Sequence, residues 1–343
     1  MSANLKDQAS WEASPLAFLY RQFIEGVPRI PSDVDLSGQA ALITGSNIGL
    51  GLDCARQLLA LNLSHLIIAV RSQTRGDAAA KMLQAEFPRA KIEVSIVDMS
   101  SYKSIQAFAK RCEALQRLDI AVLNAGLRRP GFERAEDTKH EMTFQINCLS
   151  TALLGLLLLP ILKEKRRTAS PARLALVGSD VTYWAKWTSS DYNSIFDVVD
   201  SAANFESMEA YKTSKLFLLM FVDKLAQLVP ADEIIINFPN PGLCGGTQFG
   251  SDSPSDLGEV IFRAMSFLIA RPAAVGARQY VNAVTVQGVE SHGSFVGEGK
   301  IKPFPTIMYK ESGQALQEAA WNGIMKELSF AHPAKILEAL SKA

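Results

Sequence analysis

From Gln39 to about Asn237 the chain alternates short apolar runs with stretches of helical periodicity, and that alternation leaves few folds open. Ala40 to Ile43, His65 to Val70, Ile92 to Val97, Asp119 to Leu123, Arg173 to Val177 and Glu233 to Asn237 read as strands. Between them, Cys54 to Leu61, Gly76 to Phe87, Ser104 to Leu115, Glu141 to Lys165 and Met208 to Leu228 carry apolar residues at helical spacing. A strand exposed on one side would alternate apolar with polar residues. Strands that are apolar throughout, joined by crossover helices, therefore imply a parallel sheet covered on both faces. The expected fold class is α/β, a single doubly wound parallel sheet with helices on both faces. With 343 residues, 48% of them hydrophobic, the chain can bury such a core.

The first strand runs into Thr44-Gly45-Ser46-Asn47-Ile48-Gly49-Leu50-Gly51, which opens the first helix. Glycine at positions 45, 49 and 51 permits a tight turn and lets a pyrophosphate approach the amides at the helix N-terminus, as in a Rossmann-type dinucleotide site. Gly45, Ser46, Asn47, Ile48, Gly49 and Gly51 are thus candidate cofactor contacts. An NAD-selective site places a carboxylate at the end of the second strand, where it accepts from the ribose hydroxyls. Here Arg71 stands instead, and a planar guanidinium suits a 2′-phosphate, with Ser46 and Asn47 as further donors. NADP(H) is the expected cofactor. A solvated strand-end arginine is the plainer alternative.

Tyr211 and Lys215 share one face of the helix after the fifth strand, and no other tyrosine has a lysine four residues on. A phenol titrates near 10 in solution, and a neighbouring ammonium favours its anionic form. Tyr211 becomes usable as an acid or base, while the same Lys215 can hold the cofactor ribose.

These motifs resemble those of the short-chain dehydrogenase/reductase family. Thr44 to Gly51 is similar to its cofactor turn, Asn124-Ala125-Gly126 to its fourth-strand signature, and Tyr211 to Lys215 to its active-site motif. Pro241-Gly242 is similar to the turn after its sixth strand, so the likeness spans roughly Leu36 to Gly246. The resemblance implies that Ser179 hydrogen-bonds the substrate oxygen and that Asn147 supports a water-linked proton relay to Lys215. It also implies that Asp98 lies near the adenine amino group and that Asn124 lines the cofactor cleft. Each has an ordinary alternative: a strand-end turn for Ser179, a helix bend for Asn147, a helix cap for Asp98.

Two departures stand out. An insertion between Ser179 and Tyr211, with Tyr183, Trp184, Trp187, Tyr192 and Phe196, resembles that of retinol-dehydrogenase-like and fungal biosynthetic members. Its aromatic side chains either wall a pocket for a bulky apolar substrate or staple the loop to the body. After Pro241-Gly242, Gly246 occupies the family's threonine position and Thr247 comes one residue late. The implied function is NADP(H)-linked interconversion of a carbonyl and a secondary alcohol on a small hydrophobic molecule, as in secondary metabolism. The rival readings are a redox-silent cofactor-binding protein and a same-fold enzyme running a non-redox step.

Lysine plus arginine equals aspartate plus glutamate at 35 each, so no broad field attracts nucleic acid. Four scattered cysteines without a Cys-x-x-Cys pair suit a reduced, cytoplasmic protein, and four histidines without ligand spacing argue against a metal. No secretory leader is read. The apolar run Ala152 to Leu162 is about half the roughly 20 residues of a spanning helix, so no integral membrane span is expected. A homo-oligomer is what the family implies. Residues 1–37 read as an arm whose Trp11, Leu16, Phe18, Leu19, Phe23 and Ile24 pack on the domain or on a second subunit. A membrane-surface helix is the alternative, and Glu12, Arg21 and Glu25 do not give it a basic face. Residues 38–343 read as the dinucleotide-binding and catalytic domain, with a substrate-covering region from about Pro239.

Overall fold

The computed structural model describes residues 1–167, 170–187, 189, 192, 195–245 and 269–341. Seven parallel strands form one sheet: β1 (Ala40–Thr44), β2 (His65–Val70), β3 (Lys91–Ile96), β4 (Ile120–Leu123), β5 (Ala172–Leu176), β6 (Ile234–Pro239) and β7 (Ser294–Gly297). An antiparallel β8 (Lys300–Lys302) closes the edge, in the spatial order 3-2-1-4-5-6-7-8. The strands read as apolar throughout because alternate residues feed two cores. Leu42, Ile67, Ala121 and Leu174 point to one, Ile43, Ile68, Val122 and Ala175 to the other.

Before the sheet come two short helices, α1 (Ala9–Glu12) and α2 (Pro15–Tyr20). One face of the sheet is covered by α3 (Gly49–Ala60) and α4 (Gln73–Glu86). The opposite face takes α5 (Tyr102–Cys112), the single turn α6 (Met142–Phe144), α7 (Thr151–Lys165), α8 (Ile195–Val199) and α9 (Ser207–Ala226). Later in the chain, α10 (Ala273–Thr285) joins the first face, while α11 (Glu311–Glu327) and α12 (Pro333–Ser341) form an outer layer on the second. Helix starts follow local chemistry: Ser72 and Ser101 accept from backbone amides at the heads of α4 and α5. Glu206 does the same at the head of α9.

β7 and β8 go beyond what the sequence pattern indicates, because strands of four and three residues punctuated by Gly297 and Gly299 carry too little pattern. The long helix expected over Glu141 to Lys165 is present: Met142–Lys165 spans 24 residues and holds a window of mean hydropathy 1.8, enough to cross a membrane by length and composition. It is instead a core helix, with 89% of that apolar window buried within the protein. Its register is interrupted by a wider π-helical turn at Gln145–Ser150, which holds Asn147.

The arm packs on its own domain, but not through its apolar set. Glu12, Arg21 and Gln22 are buried, whereas Trp11, Leu16, Leu19, Phe23 and Ile24 are exposed. Charge drives the choice of face: Arg21 pairs with Glu12 and faces Asp180 at 3.7 Å, and Lys302 takes Glu25 at 2.8 Å. Phe18 makes a ring contact, edge-on to Trp184 at 5.7 Å. In the insertion, Tyr183, Trp187 and Phe196 make contacts that staple the loop to the body. Tyr183 donates its hydroxyl to the Pro303 carbonyl at 2.8 Å, Trp187 lies 5.2 Å from Phe217, and Phe196 packs on His140 and Phe144.

Candidate active site

The strand order makes β1 a switch point, since the chain leaves it for β2 on one side and β4 lies on the other. Loops at the carboxyl ends of β1 and β4 therefore diverge and leave a crevice. The glycine turn lies there. Gly45 and Gly49 have φ of +65° and +55°, which a side chain disfavours. A Cβ on Gly51 would sit 2.5 Å from the Gly45 carbonyl oxygen and 2.6 Å from Asn124 Nδ2. Asn124 knits the crevice floor, donating from Nδ2 to the Thr44 carbonyl at 2.9 Å and the Gly45 carbonyl at 3.3 Å. The turn is thus a cradle without side chains at the head of α3, where helix amides and dipole favour an anion. Asn47 is half-buried and Ile48 exposed at its lip. The Ser46 hydroxyl is fully buried and donates to the Ile43 carbonyl at 2.8 Å.

Past the carboxyl end of β5, Ser179 meets Tyr211 from α9. The serine hydroxyl is a hydrogen-bond partner of the phenol. Tyr211 and Lys215 are both buried, as their position on the inward face of α9 requires. Lys215 Nζ donates to the Val177 carbonyl at 2.8 Å, and burial pushes its ammonium down to about 8. Burial likewise pushes the Tyr211 phenol well above its ordinary value, with Asp180 adding to the rise; Ser179 and Arg128 pull it down. The sequence alone assigned that pull to Lys215. Arg128 adds a second favourable charge that spacing along α9 does not disclose.

Asn147 is fully buried and its side chain organises the next loop. Oδ1 accepts from the Leu127 amide at 2.9 Å, while Nδ2 donates to the Leu127 carbonyl at 2.8 Å and to Ser214 Oγ at 3.0 Å. Both Nδ2 hydrogens are thus engaged, one on backbone and one on the Ser214 hydroxyl, while Oδ1 holds the Leu127 amide. A Cβ on Gly126 would stand 3.0 Å from Asn147 Oδ1 and 3.6 Å from Lys215 Nζ, so glycine there keeps open the space both groups face. Clamping Leu127 also sets the direction of Arg128, whose Nη1 donates to Ser207 Oγ at 3.0 Å. Neither Arg128 nor Ser207 was singled out from sequence, because nothing in their spacing marks them.

Known proteins show the same pattern. The sequence profile of the short chain dehydrogenase family matches residues 39–185. Short chain dehydrogenase virL of Hypocrea virens is 44% identical over 346 residues, covering the whole of both chains. The chain belongs to the short-chain dehydrogenase/reductase family. Short chain dehydrogenase opdN of Penicillium oxalicum is 48% identical over 313 residues, 88% of this chain and 100% of that one. Among solved structures, the L-sorbose reductase of Gluconobacter frateurii complexed with NADPH and L-sorbose aligns with a TM-score of 0.58 at 22% identity, over 78% of this chain and 98% of that one. An NADPH-bound carbonyl reductase from chicken fatty liver aligns with a TM-score of 0.58 at 20% identity, over 81% and 98%. These two likenesses carry the fold.

As a short-chain dehydrogenase/reductase, this oxidoreductase places its remaining candidates along the same crevice. Arg71 is exposed at the carboxyl end of β2, with Arg75, which sequence reading passed over, exposed in the first turn of α4. Asp98 follows β3, and its Oδ1 accepts from the Ser100 amide at 2.9 Å and hydroxyl at 2.7 Å; the helix cap read as its alternative role belongs instead to Ser101, which caps α5. Gly246 and Thr247, and most of the substrate-covering region that follows them up to residue 268, lie outside the described residues.

Proposed function

We propose that this enzyme interconverts a carbonyl and a secondary alcohol on a small, hydrophobic organic substrate with NADP(H), working as a reductase in cytoplasmic secondary metabolism. The observation that carries the reading is the pairing of Ser179 with Tyr211 at the carboxyl end of the sheet, above Lys215 on the same helix face. The side-chain-free cradle at Gly45, Gly49 and Gly51 fits a pyrophosphate, and Lys215 and Tyr211 would border the ribose and nicotinamide. Exposed Arg71, with Arg75 beside it in the chain, would pair with a 2′-phosphate, and no carboxylate at that strand end favours NADH. Asp98 and Asn124 would line the adenine and ribose parts of the cleft. When bound, NADPH supplies the hydride.

The chain's own residues handle the proton. Ser179 donates to the substrate oxygen and polarises it, and Tyr211, kept neutral at physiological pH by burial, delivers its phenolic proton to the oxygen as negative charge develops there. Lys215 and Arg128 offset the resulting phenolate, and Asn147 keeps the Leu127–Arg128 loop in place.

Tyr211→Phe tests the mechanism. Reduction across a carbonyl panel should drop about 10²–10⁴-fold, while NADPH raises the melting temperature of the variant as it does for the native protein. Turnover at the native rate would refute the role of Tyr211. Stronger stabilisation by NADH than by NADPH would refute that of Arg71, and absence of hydride exchange across the panel would favour a redox-silent binding protein.

A further inference from the structure

The arm's helical stretch from Pro15 to Glu25 has two faces of opposite character. Leu16, Leu19, Tyr20, Phe23 and Ile24 recur at the three- and four-residue intervals of a single helix stripe. Such a stripe ordinarily packs on a core. Here it faces outward: Leu16 is 67% exposed, Phe23 59% and Ile24 71%, with Trp11 of α1 at 51%. The inward face is polar, with Arg21 and Gln22 buried beside Ala17.

The charges explain the inversion. Between Gln8 and Pro28 the only charged residues are Glu12, Arg21 and Glu25. All three turn inward: Arg21 pairs with Glu12, and Glu25 takes Lys302 at 2.8 Å and Lys300 at 3.1 Å. The objection that these residues spoil an amphipathic surface helix therefore falls, since none of them lies on its outer face. From Leu16 to Ile24 that face carries one polar side-chain group, the Tyr20 hydroxyl.

Position adds a second argument. Arg21 faces Asp180, which follows β5, and Gln22 Nε2 donates to the Leu243 carbonyl beyond β6 and to the Ile269 carbonyl, each at 2.8 Å. Arg271 bonds the Arg21 carbonyl and pairs with Glu298, just past β7, at 2.9 Å. The arm thus caps the carboxyl ends of β5, β6 and β7, the half of the crevice that holds Ser179 and Tyr211. Its apolar stripe marks the outer surface of the substrate side.

We propose that this outward stripe docks the enzyme on a lipid bilayer surface, with the arm lying in the interface and the substrate side of the crevice turned toward the membrane. A typical interface with a different protein carries about one hydrogen bond per 100–200 Å², and this stripe offers one side-chain group for it, the Tyr20 hydroxyl. A fluid apolar phase needs none, and Trp11 and Tyr20 suit the headgroup layer, where an apolar ring with a polar edge is at home. With no exposed charge on the stripe, docking depends on apolar burial rather than on anionic lipid. An apolar substrate dissolved in the bilayer then reaches the crevice without crossing water.

Flotation of the full chain, with NADPH present, on vesicles of phosphatidylcholine alone and of phosphatidylcholine with phosphatidylserine tests this. The native protein should float with both, with less than a twofold change on raising salt. A triple variant, Leu16→Ser, Phe23→Ser and Ile24→Ser, should lose partitioning by at least tenfold while keeping the thermal stabilisation by NADPH, which shows that it folds. Failure of the native protein to float overturns the proposal. Binding that requires phosphatidylserine and disappears in salt overturns the apolar mode. A dimer seen by light scattering that the triple variant abolishes, without vesicle binding, assigns the stripe to a second copy of the chain instead.

Discussion

Arg128 Nη1 donates to the Ser207 hydroxyl at 3.0 Å, one helical turn before Tyr211 on the same face of α9. A guanidinium fixed there acts on the phenol from the loop side, while Lys215 is directed at the strand end through Val177. The proposed acid/base centre thus has two cations near it, held by different routes. Arg128→Gln should raise the pH at which the tyrosine-dependent limb of kcat/KM appears by about one unit, since a lost favourable charge leaves the phenolate less stable. Arg128→Lys should restore part of it. An unchanged profile in Arg128→Gln would leave the arginine with a purely structural role.

Lys215 is a buried ammonium that donates to the Val177 carbonyl, and burial brings its pKa down to about 8. Because its folded value lies below its unfolded one, it penalises folding fully at neutral pH, and the penalty lifts as pH rises past about 8. Lys215→Met should remove that penalty. The cofactor-free variant should gain about 1–4 kcal/mol in stability, the range for replacing buried charge by apolar volume, while turnover is lost. A variant less stable than the native protein in thermal unfolding would show that the charge is compensated.

His140 holds the insertion to the outer helical layer. Its Nδ1 meets Asp200 Oδ2 at 2.7 Å and its Nε2 meets Glu327 Oε1 at 3.4 Å. Burial opposes its charge, but the two carboxylates outweigh burial and raise it to about 9. A folded value above the unfolded one, near 6.5, gives stability that is complete below the unfolded value and is lost as pH climbs to about 9. Melting temperatures should fall across that window in the native protein, and His140→Gln should flatten the fall. Parallel curves for the two proteins would refute the clasp.

Gly178 precedes Ser179 where β5 meets the Phe238 ring of β6; a Cβ at 178 would penetrate that fully buried ring. Gly178→Ala should cost about 1–3 kcal/mol by overpacking and should lower kcat by a larger factor than thermal destabilisation explains, because relief requires moving Ser179. Native kcat in a folded Gly178→Ala protein would show that the serine is held by other contacts.

Local pattern made much of this legible. Tyr211 and Lys215 are joined by helical spacing, and the glycine turn by its place between an apolar run and a helix; both are short-range relations that chain order preserves. The alternation of strands and helices likewise announced the parallel sheet. β7 and β8 were too short and too rich in glycine to register. The Ser46 hydroxyl turned inward because a serine in a tight turn can satisfy itself on the carbonyl three residues back, which its type does not disclose.

What the sequence by itself determined was the class of fold, the family and the candidate acid/base pair, since each rests on periodicity or on spacing within one element. Tertiary structure alone decided which charge reaches the phenol, what Asn147 holds and which face of the arm looks outward. Those outcomes depend on groups far apart in the chain: Arg128 with Ser207, Asn147 with Leu127, and Arg21 with Asp180. The arm is the clearest case. Its apolar stripe predicted burial, but three charged residues on its other face found partners at the carboxyl ends of the strands, and desolvated charge accepts only a paired site. Pairing those charges left the stripe facing out.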